Sequence, residues 1–210
     1  AIIIVGLLLV IGAVVVGIFA IKGEGEKLGK DEMAKQKKEL ALKTREEQLP
    51  KWREWAARDD VPDMQQEAFA QLAWVKDEAG LPLIIKGISH SDHRVRGTAA
   101  SALLEYGSPK ADGAKPALLK AFAEADNSDK PQISWALATL KESSAFEGVL
   151  GEYRLGHLAK VQRLDGNPVF DPDVLAAMVP VEKLAAYVGD PSDSVRQLVA
   201  VILSRTGDAR

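Results

Sequence analysis

The chain has 210 residues, with 27 basic and 30 acidic side chains and a formal net charge of −3. It contains no cysteine, which excludes a disulfide framework, a thiol nucleophile and cysteine-based zinc or iron–sulfur sites. Residues 61–210 carry 16 basic and 20 acidic side chains, so this part of the chain lacks the positive charge that binding to phosphate groups requires. We therefore predict no nucleic-acid partner.

Residues 1–21 contain no charged side chain and consist almost entirely of Ile, Val, Leu, Gly and Ala. A helix of this length spans roughly 31 Å, close to the ~30 Å hydrocarbon core of a bilayer. A cleaved signal sequence is the alternative, but its apolar region usually has about 7–15 residues and follows a basic leader. We predict a single transmembrane helix here, with Ala13 and Gly17 as a small-residue pair for helix packing.

The side of the membrane is predicted from the lysines that follow this segment. Six of them lie within residues 22–38, and no basic residue precedes the apolar segment. By the positive-inside rule, the domain that follows is expected in the cytoplasm. A basic leader before Ala1 would reverse this orientation, so a periplasmic domain is the alternative.

Residues 22–50 are predicted to form a flexible, Gly-rich joint followed by a charged stalk helix. The stalk has helix-forming composition and acid–base pairs four residues apart, such as Asp31 and Lys35. Pro50 lacks the amide hydrogen that a helix interior needs, so we expect the stalk helix to end there. A separate domain is expected over residues 51–210.

The domain is predicted to be entirely helical. Its apolar residues recur at spacings of three and four, and no stretch alternates with period two. Asp92, Asp129 and Asp193 stand where helix N-caps are expected. Between segments rich in Gly, Pro, Asp and Ser, helices are predicted over residues 51–58, 63–78, 80–89, 92–106, 113–125, 129–141, 146–162, 174–188 and 193–205.

An internal repeat underlies these helices. Residues 91–107 and 191–207 align, and residues 128–140 align with the first segment so that Asp129 pairs with Asp92. Each of the three segments follows another apolar helix, which predicts a stack of helix pairs with a continuous core. The residues shared by the first two segments are Val95/Val195, Arg96/Arg196, Ala100/Ala200, Leu103/Leu203 and Gly107/Gly207.

Residues 190–196 read D-P-S-D-S-V-R and fit the D-x-x-x-x-V-R signature of HEAT repeats. The chain resembles the HEAT-repeat family over about residues 52–210, in particular the short bacterial HEAT-like repeats related to phycobilisome-lyase modules. The resemblance implies a right-handed α-solenoid in which Asp190, Arg196 and Arg96 form a structural ladder between repeats. His90 occupies the position of the signature Asp in the first clear repeat, so we expect Arg96 to lack an acidic partner.

The motif content argues against catalysis. The sequence has no Walker A motif, no G-x-S-x-G, no H-E-x-x-H and no EF-hand loop. His90 and His93 flank Asp92, but a tight metal site would need further convergent ligands. We predict that the chain is not an enzyme and has no catalytic residue, no metal, no cofactor and no small-molecule substrate.

These observations favour a binding function. We expect a non-catalytic, membrane-anchored HEAT-repeat adaptor or scaffold, an accessory or assembly subunit of a larger bacterial membrane complex whose partners are other protein subunits. Phe170 lies in a Pro/Gly-rich insertion over residues 162–173 and is the candidate partner contact. The alternative is a chromophore or cofactor lyase, which the resemblance to lyase-type modules implies.

Overall fold

The computed structural model of the chain describes residues 31–126, 128–158 and 171–206. All regular secondary structure in these ranges is helical, as predicted. No helix within them is both long enough and apolar enough to cross a bilayer. The predicted transmembrane segment with Ala13 and Gly17, the Gly-rich joint and Phe170 lie outside the described residues.

The chain divides into two compact units, Ala1–Pro50 and Lys51–Arg210. The described helices are α1 (residues 31–40), α2 (Arg45–Ala56), α3 (Pro62–Trp74), α4 (Leu81–Gly87), α5 (His93–Tyr106), α6 (Lys115–Glu124), α7 (Lys130–Thr139), α8 (Phe146–Arg154), α9 (Pro172–Ala176), α10 (Val181–Ala185) and α11 (Asp193–Thr206).

The prediction that one stalk helix ends at Pro50 is wrong. A turn separates α1 from α2, because Thr44 and Glu47 form a capping box that starts a new helix. The Thr44 N–H donates to the Glu47 carboxylate at 2.8 Å, and the Glu47 N–H donates to Thr44 Oγ1 at 3.4 Å. The α2 helix then continues through Pro50, since Trp52 and Trp55 are buried beyond it and their packing offsets one missing backbone bond.

Helix pairs build the second unit. The α3, α5 and α7 helices pack side by side, with α4 against α5 and α6 against α7. Further along the chain, α9 packs against both α7 and α11, and α10 packs against α11. This succession of stacked pairs is the arrangement of an α-solenoid, as the sequence predicts.

Small residues let these helices approach closely. Ala99, Ala100 and Ala102 of α5 are fully buried. In α4, a Cβ at Gly87 would overlap the ring of Phe69, which is itself fully buried in α3. Glycine is therefore required at position 87 by the close contact between α4 and α3.

Two predicted helices end earlier than expected. The helix predicted over residues 174–188 divides into α9 and α10 at Pro180, because proline has no amide hydrogen and restricts the residue before it. The α8 helix ends at Arg154 because Gly156 adopts a φ of 71°, and its N–H bonds back to the Tyr153 carbonyl at 2.9 Å.

Candidate functional site

An open cavity of about 330 Å³ lies on one side of the layer formed by α3, α5 and α7. We call it the polar groove, because most of its lining side chains can form hydrogen bonds. The lining residues are Gln66, His93, Arg94, Gly97, Thr98, Ser101, Ser128 and Gln132.

The basic group at the groove is neutralised by neighbouring carboxylates. Arg94 binds Asp92 at 2.7 Å and Asp63 at 3.4 Å. The hydrogen bond from Arg94 lowers the pKa of Asp92 to about 2, so Asp92 is ionised at neutral pH. The groove thus suits a neutral polar ligand better than an anion.

Gln132, one of the residues that line this groove, carries an unused acceptor. Its Oε1 atom is buried and accepts no hydrogen bond from the described residues. Leaving a buried polar atom unpaired costs about 1–3 kcal/mol. A ligand that donates a hydrogen bond at this position would remove the cost.

Gln132 belongs to a polar row that crosses three helices. Gln66 on α3 and Thr98 on α5 occupy the other two positions, and the Thr98 hydroxyl lies 3.5 Å from Gln66 Oε1. Thr98 also donates to the Arg94 carbonyl at 2.9 Å, which fixes its side chain. The row offers hydrogen-bonding groups to a ligand that runs across the helices.

Gly97 lines the groove beside Gln132. A Cβ at position 97 would lie 3.6 Å from Asp129 Cβ and 4.0 Å from Gln132 Cδ, which are ordinary contacts. Glycine inside a helix costs about 1 kcal/mol relative to alanine. In contrast to Gly87, Gly97 is not required by packing, so the fold keeps a glycine here at a cost in stability.

Arg96 joins α5 to the start of α7. Its Nε donates to Asp129 Oδ2 at 2.6 Å, and the Asp129 side chain is only 1% exposed. Arg96 Nη1 also donates to the carbonyls of His90 and Ser91, at 3.0 and 3.1 Å. The expectation that Arg96 lacks an acidic partner is therefore wrong: the following repeat provides Asp129.

Asp190 makes its side-chain contact with a different arginine. Arg154 Nη2 and Nε donate to Asp190 Oδ2 at 2.5 and 3.2 Å, and this contact lowers the pKa of Asp190 and raises that of Arg154. Arg196 instead donates from Nη1 to the backbone carbonyls of Asp190 and Pro191, at 2.6 and 3.1 Å. Asp190 thus contacts both arginines, one through its carboxylate and one through its backbone.

Sequence reasoning identified Asp92 correctly as an N-cap, since it accepts the Arg94 N–H at 2.8 Å. It did not predict that Arg154 binds Asp190 or that Asp129 binds Arg96. The available signal was spacing, because Arg96 and Asp129 lie 33 residues apart and Arg154 and Asp190 lie 36 apart, close to one repeat.

The His90 side chain has a role in the turn that precedes α5. Among residues 31–126, 128–158 and 171–206, no three His, Asp or Glu side chains are grouped to hold a metal ion. His90 Nδ1 instead accepts the Asp92 N–H at 2.9 Å, so the ring stabilises the turn before α5.

Comparison with known proteins supports the repeat assignment. Residues 49–141 match the family model of HEAT repeats. The match spans most of α2 through α7, including every lining residue of the polar groove. No curated protein and no solved structure matches the chain. HEAT repeats stack into extended surfaces that generally serve protein–protein interaction.

Proposed function

We propose that this chain is a non-catalytic protein-binding scaffold, and that its polar groove holds an extended segment of a partner protein. The observation that carries the proposal is the polar groove, in which Gly97 presents no side chain and Gln132 Oε1 is unpaired among the described residues. Both features cost stability in the unbound protein. A bound ligand would offset this cost.

An extended peptide segment has the chemistry that this groove favours. Its main-chain N–H groups can donate to Gln132, and its carbonyl groups can accept from hydroxyl groups such as that of Ser101. Because Gly97 has no side chain, the lining of the groove at this position is main chain. Because carboxylates neutralise Arg94, affinity would depend on hydrogen bonds more than on charge.

The proposed scaffold is attached to a membrane by residues 1–21 and belongs to a larger membrane complex as an accessory or assembly subunit. The uncharged length of that segment and the lysines after it support an anchor with the solenoid in the cytoplasm. An anchored binding domain keeps its partner close to the bilayer, which suits subunits that assemble there.

Co-purification from gently solubilised membranes tests the proposed function. The tested variant is Gln132→Leu, which removes the groove acceptor while keeping the side-chain size. The control is Gln71→Leu, because Gln71 lies on α3 outside the groove lining and its side chain donates to Glu67 in its own helix, at 3.0 Å.

We expect the wild type and Gln71→Leu to retain the same stoichiometric protein partner, and Gln132→Leu to lose most of it while remaining folded. Absence of any stoichiometric partner from the wild type would contradict the scaffold function. Equal retention by both variants would contradict the role of the groove.

A further inference from the structure

The α11 helix repeats the structure of α5 at an offset of 100 residues. Arg96 and Arg196 each donate from Nη1 to the carbonyl groups six and five residues before them. The distances, in that order, are 3.0 and 3.1 Å for Arg96 and 2.6 and 3.1 Å for Arg196. Val95 and Val195, next to these arginines, are both fully buried. The two helices can therefore be compared position by position.

The two helices differ in how far one stripe of side chains along each helix is exposed to solvent. In α5 the stripe is buried, and its first residue, Gly97, faces Asp129 and Gln132 at the start of α7. The same stripe in α11 is exposed, and its apolar residue Val201 has a relative exposure of 41%. The buried residues of α5 are Gly97, Ala100, Ser101 and Leu104, and their exposed counterparts are Gln197, Ala200, Val201 and Ser204.

The arginine beside this stripe differs in the same way. Arg96 is 19% exposed and binds the buried Asp129 of the next helix. Arg196 is 41% exposed, and its side-chain partner is Asp193 of its own helix, which is 80% exposed. An incoming carboxylate can replace Asp193, because an exposed pair within one helix contributes little to stability.

We propose that this stripe of α11, which we call the terminal face, binds a helix of a partner protein in the way that α5 binds α7. The partner helix begins with an Asp whose carboxylate reaches Arg196, and it packs small and apolar residues against Ala200 and Val201. Charge complementarity at Arg196 and the existing contact between α5 and α7 in the same chain specify this chemistry. The terminal face is separate from the polar groove, and neither proposal requires the other.

The chain itself provides the probe. A fluorescently labelled peptide of residues 108–141 contains α7, which packs on α5, and α6, which packs on α7, with Asp129 before its second helix. Its binding to the full chain in lipid nanodiscs is measured by fluorescence anisotropy, with empty nanodiscs as the blank. Val201→Glu places a charge on the terminal face. Val188→Glu is the matched control, because Val188 is a 55% exposed valine outside α11.

We expect saturable binding that Val188→Glu leaves unchanged and that Val201→Glu weakens by about tenfold or more. Arg196→Gln in the protein and Asp129→Asn in the peptide should each weaken binding by about tenfold, and the double change should be no worse than either alone.

No saturable binding up to about 1 mM peptide would overturn the proposal. So would binding that survives Val201→Glu, because the peptide would then have exchanged with the chain's own α6 and α7. Both results concern only the terminal face, so neither of them changes the outcome expected in the co-purification test of the groove.

Discussion

Replacing Arg96 with methionine should destabilise the domain much more than the same change at Arg196. The Asp129 carboxylate is 1% exposed and has no hydrogen bond to its Oδ1 within the described residues. Without Arg96 it becomes a buried, unpaired charge. This ranking is the reverse of the one that the sequence predicts from His90.

The size of each expected loss of stability follows from how deeply the ion pair or hydrogen bond is buried. Removing one partner of a buried ion pair costs about 3–5 kcal/mol. Because Arg96 is 19% exposed, water can reach part of the site, so we expect a loss of about 3 kcal/mol. Arg196 binds two backbone carbonyls and is 41% exposed, and we expect a loss of about 1 kcal/mol.

Urea unfolding of the full chain in detergent measures both losses. Trp55 and Trp135 are 0% and 1% exposed, so their fluorescence reports unfolding of the domain. As a control, Asp129→Leu combined with Arg96→Met should cost less than the sum of the two single changes, since the pair is then removed together. Equal losses for Arg96→Met and Arg196→Met would refute this account of the pair.

The other predictions test packing, ionisation, capping and topology. Gly97→Ala should raise the free energy of unfolding by up to about 1 kcal/mol, whereas Gly87→Ala should lower it by about 2 kcal/mol through overlap with a buried ring. Urea titration measures both, and a loss at position 97 would contradict the conclusion that a Cβ fits there without a clash. Because the pKa of Asp92 falls to about 2 in the folded state, its contribution is complete above the unfolded value of 3.8 and disappears as pH falls toward 2. The Asp92→Asn variant, which keeps the cap, should therefore lose less stability than the wild type over that pH interval. A pH profile of stability equal to that of the wild type would count against the ionised pair. A fragment that begins just before Thr44 should be about 1 kcal/mol more stable than one that begins at residue 50, because the shorter fragment lacks the capping box; equal thermal melts by circular dichroism would show that the box contributes nothing. Trypsin should leave the domain intact in whole spheroplasts and digest it after lysis, and cleavage in whole spheroplasts would place the domain in the periplasm.

The helical class and the repeat could be read from the sequence because both depend on local spacing. Buried residues such as Val95 and Val195 recur at matching positions in α5 and α11, and helix periodicity reveals them directly. Pro180 and the Thr44 capping box are local signals of the same kind, and they explain the two helix breaks that the prediction missed.

The candidate site was less predictable because its features arise between helices. The unpaired oxygen of Gln132 depends on what surrounds it, and the role of Gly97 depends on how far α7 lies from α5. Similarly, the partner of Arg96 comes from the next repeat, 33 residues away. Such contacts follow from how the pairs stack, which composition and periodicity do not determine.

Photo-crosslinking from the groove tests the central claim most directly. A benzophenone amino acid replaces Thr98, which lines the groove, or Gln71, which lies on α3 outside it. After irradiation of intact cells, we expect position 98 to form one discrete adduct with another protein, position 71 to form none, and Gln132→Leu to abolish the adduct. An absence of any protein adduct at position 98, or equal adducts at both positions, would contradict a protein-binding groove.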